Sequence, residues 1–336
     1  MGKPFQVLLI EKIDEAGVQI LEEVAEIRWS SGTTQEILAQ EARDADAIIV
    51  RAFGSITATI MDASPRLKLI GKHGVGFDNI DIKAATERGI PVVYTPFANT
   101  DAVADHTMGL MIALAKRIAE ADRALKHGAS WGLRYELIGT DVAGKTLGII
   151  GLGRIGGAVA KRAGGFGMRI LAYDPYAPKE RAIALGAELV DLDTLLRSSD
   201  FVSIHVPLTE ETRGLVGRRE LSLMKRGAFL INTSRGGIVD EEALLEALSS
   251  GHLAGAALDV LEKEPPEPEN PLIKMENVIV TPHMAAHTKE TLRKMAVTVA
   301  EDVVRVLRGE RPLYLVNPEA FEGPRIRSFL RSLGKA

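Results

Sequence analysis

The chain contains no cysteine. Disulfides, thiolate metal ligands, cysteine-ligated iron–sulfur clusters and cysteine nucleophiles are therefore all excluded. Long apolar runs are also missing. The best candidate, MGLMIALA, is stopped by Lys116 and Arg117, far short of a membrane span. The first apolar run meets Glu11 too soon for a secretory signal. Neither sign of charge dominates: 41 basic and 45 acidic side chains leave a net charge of -4. That balance gives no reason to expect a nucleic-acid or anionic-membrane partner, and a cytoplasmic protein is the default expectation. Proline is modest at 15 residues, whereas glycine is abundant at 32. Glycines spread between apolar runs point to many tight strand-to-helix turns. With 336 residues, 46% of them hydrophobic, two domains are the expectation.

Apolar runs alternate with amphipathic stretches along the whole chain. FQVLLI, EIRWS, DAIIV, LKLIGKHG and PVVYT read as a first series of strands, and a second series begins after DVAGK. In it TLGIIGLG, RILAYDP, FVSIHVP, AFLINTS, AALDV and NVIVTPH are strand candidates. Alternation of this kind favours parallel sheets covered on both faces, an α/β fold. VDEEALLEALSSG is a readable helix, with Asp240 as its cap and Gly251 as its stop. Longer helices are predicted over Val103–Lys126 and Lys289–Leu307. They bracket the second series, so the first domain is expected to be interrupted in sequence.

GLGRIG sets Gly151, Gly153 and Gly156 directly after an apolar strand. Those glycines suit a tight turn, close approach of a pyrophosphate and close helix packing, and the following helix start offers backbone amides to an anion. Arg154 and Ile155 sit at the mouth of that turn. The next strand ends in Asp174, 23 residues beyond Gly151, where a carboxylate can receive ribose hydroxyls and repel a 2'-phosphate. NAD is thus expected over NADP, although Lys179 and Arg181 could offset that repulsion. A glycine turn alone does not name a reaction, since methyltransferases use similar ones.

Three further residues follow strand-like segments: Arg235 in NTSRGG, Glu264 in LDVLEKEPP and His283 in VIVTPH. The loops beyond strand C-termini form the ligand edge of such sheets. Arginine can clamp a carboxylate, histidine can exchange a proton with an adjacent hydroxyl, and glutamate can orient the imidazole. Each also has an ordinary reading, as a surface ion pair, a loop carboxylate and a strand-edge cap. His205 reads as packing or cofactor support, and Asp259 either as an acceptor for a nicotinamide amide or as a partner of loop amides.

Taken together, LKLIGKHGVGFDNID, GLGRIG, HVPLTEETRG, INTSRGGIVDEEAL, GAALDVLEKEPP and TPH resemble the D-2-hydroxyacid dehydrogenase family over nearly the whole chain. The resemblance implies two doubly wound parallel-sheet domains, a Rossmann cofactor domain at 103–291 inserted into a flavodoxin-like substrate domain of 1–102 and 292–336. It implies NAD as cofactor, a small 2-hydroxy or 2-oxo acid as substrate, and a homodimer formed through the cofactor domains. It makes Arg235, Glu264 and His283 catalytic. Gly151, Gly153, Arg154, Ile155, Gly156, Asp174, His205, Pro207, Thr212, Thr233, Ser234, Arg235, Asp259 and His283 would surround the cofactor, with Val103 on the nicotinamide side. Val75, Gly76, Asn99 and Arg51 would face the substrate together with Arg235 and His283. Phosphoglycerate dehydrogenase-like and hydroxypyruvate or glyoxylate reductase-like members are the nearest in pattern.

The chain departs from that pattern in four places. AFGS follows Arg51, Phe97 stands where many relatives have glycine, Asp105 where glutamate is frequent, and His287 where a smaller residue is usual. A related enzyme of formate or phosphite oxidation, and a non-enzymatic dinucleotide-sensing partner protein, are the alternatives. The tail EAFEGPRIRSFLRSLGKA is too short to suggest an additional regulatory domain.

Overall fold

The computed structural model describes residues 4–335, which form two compact units. The first comprises residues up to Asn99 and from His287 onward; the second is Thr100–Ala286.

The first unit is built on a five-stranded parallel sheet ordered β2-β1-β3-β4-β5. Its strands are β1 (Phe5–Leu9), β2 (Ala25–Trp29), β3 (Ala47–Val50), β4 (Leu69–Lys72) and β5 (Val92–Val93). β3 and β4 are buried at every position, as strands covered on both faces must be. The Lys289–Leu307 helix supplies Val299, Ala300, Val303 and Val304 to one core face. Gly71 on β4 allows that approach, because a methyl group there would stand 2.9 Å from a Val299 methyl. The tail contributes to the same unit: Phe321 and Ile326 are buried in this core, and Phe329 meets Phe5 edge-on.

The second unit carries seven parallel strands ordered β12-β11-β10-β9-β6-β7-β8. They are β6 (Thr146–Ile150), β7 (Arg169–Tyr173), β8 (Ala187–Leu189), β9 (Phe201–Ile204), β10 (Phe229–Asn232), β11 (Gly255–Leu258) and β12 (Val278–Val280). The order reverses direction at β6, between β7 and β9, which is the switch point where doubly wound sheets bind ligands. β8 was not expected: AEL has no apolar run, and the segment is a strand because it pairs with β7 at the sheet edge.

One expectation about helices is corrected. The single helix read over Val103–Lys126 is two, Thr100–Ala115 and Ile118–Lys126. Arg117 breaks it in a left-handed conformation (φ 53°), and the Thr140 amide donates to the Ala115 carbonyl that a continuing helix would have used. The two units divide after Asn99 and Ala286. The Thr100–Ala115 helix buries Ala104, Met108, Met111 and Leu114 in the second unit's core, so it belongs there from its start. Among the described residues, no helix is long and apolar enough to cross a membrane.

Candidate active site

The glycine turn joins β6 to the Arg154–Gly165 helix. Gly151 has φ 93°, and a side chain there would meet Val206 and the His205 carbonyl within 2.8 Å. A methyl on Gly156 would lie 2.0 Å from the Gly151 carbonyl oxygen, so this helix packs on the turn backbone itself. Gly153, the N-cap, faces open space instead. Turn, packing and clearance thus fall on three separate glycines, which is the arrangement a pyrophosphate needs at a helix start.

Asp174 closes the turn from the end of β7. Its Oδ2 accepts from the Leu152 amide at 2.8 Å, and Oδ1 accepts from the Tyr176 amide at 2.9 Å. Arg181, a candidate for holding a 2'-phosphate, donates to the Leu152 and Gly153 carbonyls, each at 2.7 Å. Its charge is therefore committed to bracing the glycine turn. On the other side of the switch point, Thr212 Oγ1 donates to the Pro207 carbonyl at 2.6 Å and fastens that loop. The His205 ring accepts or donates through Nε2 to Ser203 Oγ at 2.8 Å, while its Nδ1 is buried without a partner among the described residues. The residue as a whole is partly exposed, but burial of the ring pushes its pKa down to about 3. A histidine that stays neutral at ordinary pH suits packing better than proton transfer.

Arg235, Glu264 and His283 all lie on loops beyond β10, β11 and β12 of the second unit. His283 Nδ1 and Glu264 Oε2 are 2.7 Å apart. Glu264 Oε1 accepts from the Leu261 amide at 3.1 Å. Burial opposes its ionised form, yet the His283 bond, the Leu261 amide and the charge of Arg235 together hold its pKa below the ordinary 4.5. The carboxylate is thus negative, and it fixes the imidazole with a proton on Nδ1.

The loop carrying Arg235 is braced from within. Asn232 Oδ1 accepts from both the amide and the hydroxyl of Ser234, and Asn232 Nδ2 donates to the Arg235 carbonyl at 2.9 Å. Arg235 Nη1 donates to the Ser234 carbonyl at 2.7 Å. Gly236 matters as much: a methyl there would stand 1.9 Å from the Leu261 carbonyl oxygen. The arginine loop consequently packs backbone to backbone against the segment whose amide holds Glu264. Thr233 meets Thr107 hydroxyl to hydroxyl at 2.8 Å, and Thr107 also donates to the carbonyl of buried Val103.

Asp259 ties together the loop that carries His283. Its carboxylate is 2% exposed and accepts from Thr281 Oγ1, the Met284 amide and the Ala285 amide, all within 2.9 Å. His283 itself has φ 49°, a conformation that a non-glycine residue keeps only where its surroundings over-determine it.

The remaining candidates lie in the first unit. Val75, Gly76 and Asn99 are partly exposed on loops after β4 and β5. Arg51, just past β3, directs Nη2 to His287 Nε2 at 3.1 Å and Nη1 to the Lys12 carbonyl at 3.4 Å. Arginine only donates, so His287 is neutral at Nε2 in this contact. His73 is 3% exposed, and burial, followed by the nearby Arg51 charge, lowers its pKa to about 4. Sequence reading missed Asn232, Gly236, His106 and Thr281 as supports of the trio. Asn232 and Gly236 flank Arg235 inside a quoted motif; only packing reveals what they do.

Residues 108–285 match the model of the D-isomer specific 2-hydroxyacid dehydrogenase NAD binding domain. The chain is 47% identical over 313 residues to a D-3-phosphoglycerate dehydrogenase of Methanocaldococcus jannaschii, covering 93% of this chain and 59% of that one. It is 45% identical over 320 residues to a glyoxylate reductase of Korarchaeum cryptofilum, covering 94% and 96%. A solved protein from Thermus thermophilus superposes with a TM-score of 0.87 at 39% identity, over 93% of this chain and 99% of that one. The second unit is thus an NAD-binding domain of the oxidoreductase type. The chain belongs to the D-isomer specific 2-hydroxyacid dehydrogenase family. It spans only about three fifths of the length of the phosphoglycerate dehydrogenase from Methanocaldococcus jannaschii.

Proposed function

We propose that the chain interconverts a D-2-hydroxy acid and its 2-oxo acid with NAD(H), and that 3-phosphoglycerate is its leading substrate. The observation that carries the reaction is the 2.7 Å contact of Glu264 with His283, with Arg235 close enough to lower the carboxylate's pKa. When bound, NAD(H) supplies the hydride acceptor or donor. Gly151, Gly153, Gly156, Arg154 and Ile155 hold the pyrophosphate, Asp174 the ribose, and the loops of Pro207–Thr212 and Thr233–Ser234 line the remainder. Glu264 keeps the Nδ1 proton of His283 in place, which leaves Nε2 to take the substrate hydroxyl proton or return it. Arg235 orients the substrate carboxylate and polarises the reacting carbonyl.

Arg51 supports the phosphorylated substrate, because its contacts among the described residues are neutral acceptors and no carboxylate pairs with it. The 47% identity to a phosphoglycerate dehydrogenase points the same way. Reduction of glyoxylate or hydroxypyruvate is the second reading, favoured by the near-complete coverage of the Korarchaeum glyoxylate reductase. A spectrophotometric screen of NADH and NADPH consumption against 3-phosphohydroxypyruvate, hydroxypyruvate, glyoxylate and pyruvate decides between them. Highest kcat/KM on 3-phosphohydroxypyruvate is expected. Preference for glyoxylate selects the second reading, and NADH binding without any turnover defeats both.

Cofactor choice is open to a sharper test. Asp174→Asn keeps an acceptor for the Leu152 amide but removes the negative charge. It should raise the NADPH-to-NADH ratio of kcat/KM about tenfold, a discrimination that one polar contact can supply. An unchanged ratio removes Asp174 from the ribose site.

The assembly is read as a homodimer through the second unit. The Ile118–Lys126 helix buries none of its residues, and beyond it Trp131, Tyr135 and Ile138 are 76%, 76% and 77% exposed. Nearby, a cavity of about 750 Å³ at the N-terminal edge of the seven-stranded sheet has Leu114, Phe201, Phe229 and Ile279 among its lining. So much exposed aromatic area within one segment is characteristic of an interface. Light scattering should give about twice 36.3 kDa, with Trp131→Glu and Tyr135→Glu together shifting the mass toward a monomer. A monomeric wild type rejects the dimer.

A further inference from the structure

We propose that His106 is a positioning residue for the catalytic loop, seating His283 through Thr281 and Asp259. This rests on the reading of His283 as the proton-exchanging group. His106 lies on the Thr100–Ala115 helix, and its Nε2 is 3.1 Å from Thr281 Oγ1. Thr281 Oγ1 donates to Asp259 Oδ1 at 2.6 Å. A hydroxyl has one proton. Because the Thr281 proton points at Asp259, its oxygen must accept from His106, which places a proton on Nε2. The chain of bonds therefore runs in one direction, from imidazole to hydroxyl to carboxylate.

What that carboxylate holds is the loop bearing His283. Asp259 accepts from the amides of Met284 and Ala285, each at 2.9 Å, directly after His283. The His283 amide donates to the carbonyls of Asp259 and Thr281, at 2.8 and 2.9 Å. These contacts bracket a residue kept at φ 49°, so the loop relies on outside bonds for its shape. Asp259 is 2% exposed, and the His106 imidazole stands beside it, with Nε2 3.6 Å from Oδ1. Removing His106 takes away a donor and the basic group beside a buried carboxylate together.

The same helix also touches the arginine loop. Thr107, the next residue, meets Thr233 at 2.8 Å, two positions before Arg235. One helical turn thus indexes both the loop of His283 and the loop of Arg235. A shift of that turn displaces the proton carrier relative to the carboxylate clamp, and displacements near 1 Å are costly to an oriented reaction.

The test measures kcat, KM and NADH affinity for His106→Ala, His106→Gln, His283→Ala and the His106→Ala/His283→Ala double variant. His106→Ala should lower kcat about 10–100-fold while leaving the NADH Kd within about twofold. His106→Gln, whose amide offers an N–H at a similar reach, should recover most of that loss. The double variant should be no slower than His283→Ala, because a residue acting through His283 has nothing left to position. Losses that multiply, or a His106→Ala kcat within about twofold of wild type beside an impaired His283→Ala, overturn the proposal. Ordinary turnover in His283→Ala overturns the reading beneath it. Should His106→Ala fail to fold, Thr281→Ser against Thr281→Val reads the same link: the serine variant should be active and the valine variant impaired, and equal activity of the two overturns it.

Discussion

His283→Ala is expected to lower kcat by about 10²–10⁴-fold, the contribution of a placed general acid or base. That corresponds to about 3–5 kcal/mol of transition-state stabilisation. The loss should be chemical in origin, because the contacts that shape the loop do not use the imidazole. The His283 amide bonds to Asp259 and Thr281, and the Asp259 bonds to Met284 and Ala285, all survive truncation. Alanine, unbranched at Cβ, can still adopt φ 49°, although histidine is the more frequent residue there. NADH affinity, read by fluorescence titration, should therefore stay within a few-fold of wild type while turnover collapses. Ordinary turnover on the preferred 2-oxo acid rejects His283 as the proton carrier. Glu264→Gln should impair kcat less, since an amide oxygen can still accept from Nδ1 but brings no negative charge to the imidazolium.

What could be read in advance was whatever depends on local order along the chain. Strand–turn–helix at Gly151 is written in consecutive residues, and so are the Asp240 cap and the Lys289–Leu307 helix, which occupies the residues expected of it. Legibility fails where a partner distant in sequence decides. Nothing in Lys116–Arg117 announces a break; the competing Thr140 amide, contributed by the returning chain, makes one. β8 exists by pairing rather than by composition. Within the site, the residues proposed to carry the chemistry stood out because they follow strands and are ionisable. Their supports did not. Gly236 resembles any loop glycine until the Leu261 carbonyl is found against it, and His106 lies 175 residues from Thr281. The Arg51–His287 contact likewise joins residues 236 apart, so the unusual histidine could be noticed but its partner could not be named.

Replacing Arg235 should change the pH profile as well as the rate, and the two effects separate its roles. Arg235→Ala is expected to lower kcat/KM about 10²–10³-fold, the cost of leaving a substrate carboxylate without its charged partner, about 3–4 kcal/mol. Arg235→Lys should recover little of that loss, because an ammonium cannot present two parallel N–H groups to a carboxylate. The electrostatic consequence falls on Glu264. Burial raises its pKa, and the His283 bond, the Leu261 amide and Arg235 lower it, with the lowering prevailing. Activity needs Glu264 ionised to hold the Nδ1 proton, so it is retained above that pKa and lost as pH falls through it. Deleting the arginine removes one lowering contribution, and the acidic limb of kcat should move upward in pH. Arg235→Lys keeps the positive charge, so its acidic limb should stay near the wild-type position despite the low rate. An alanine variant whose acidic limb does not move, measured at saturating substrate from about pH 4 to 8, separates Arg235 from Glu264 electrostatically. Unchanged kcat/KM in that variant removes it from the substrate site altogether.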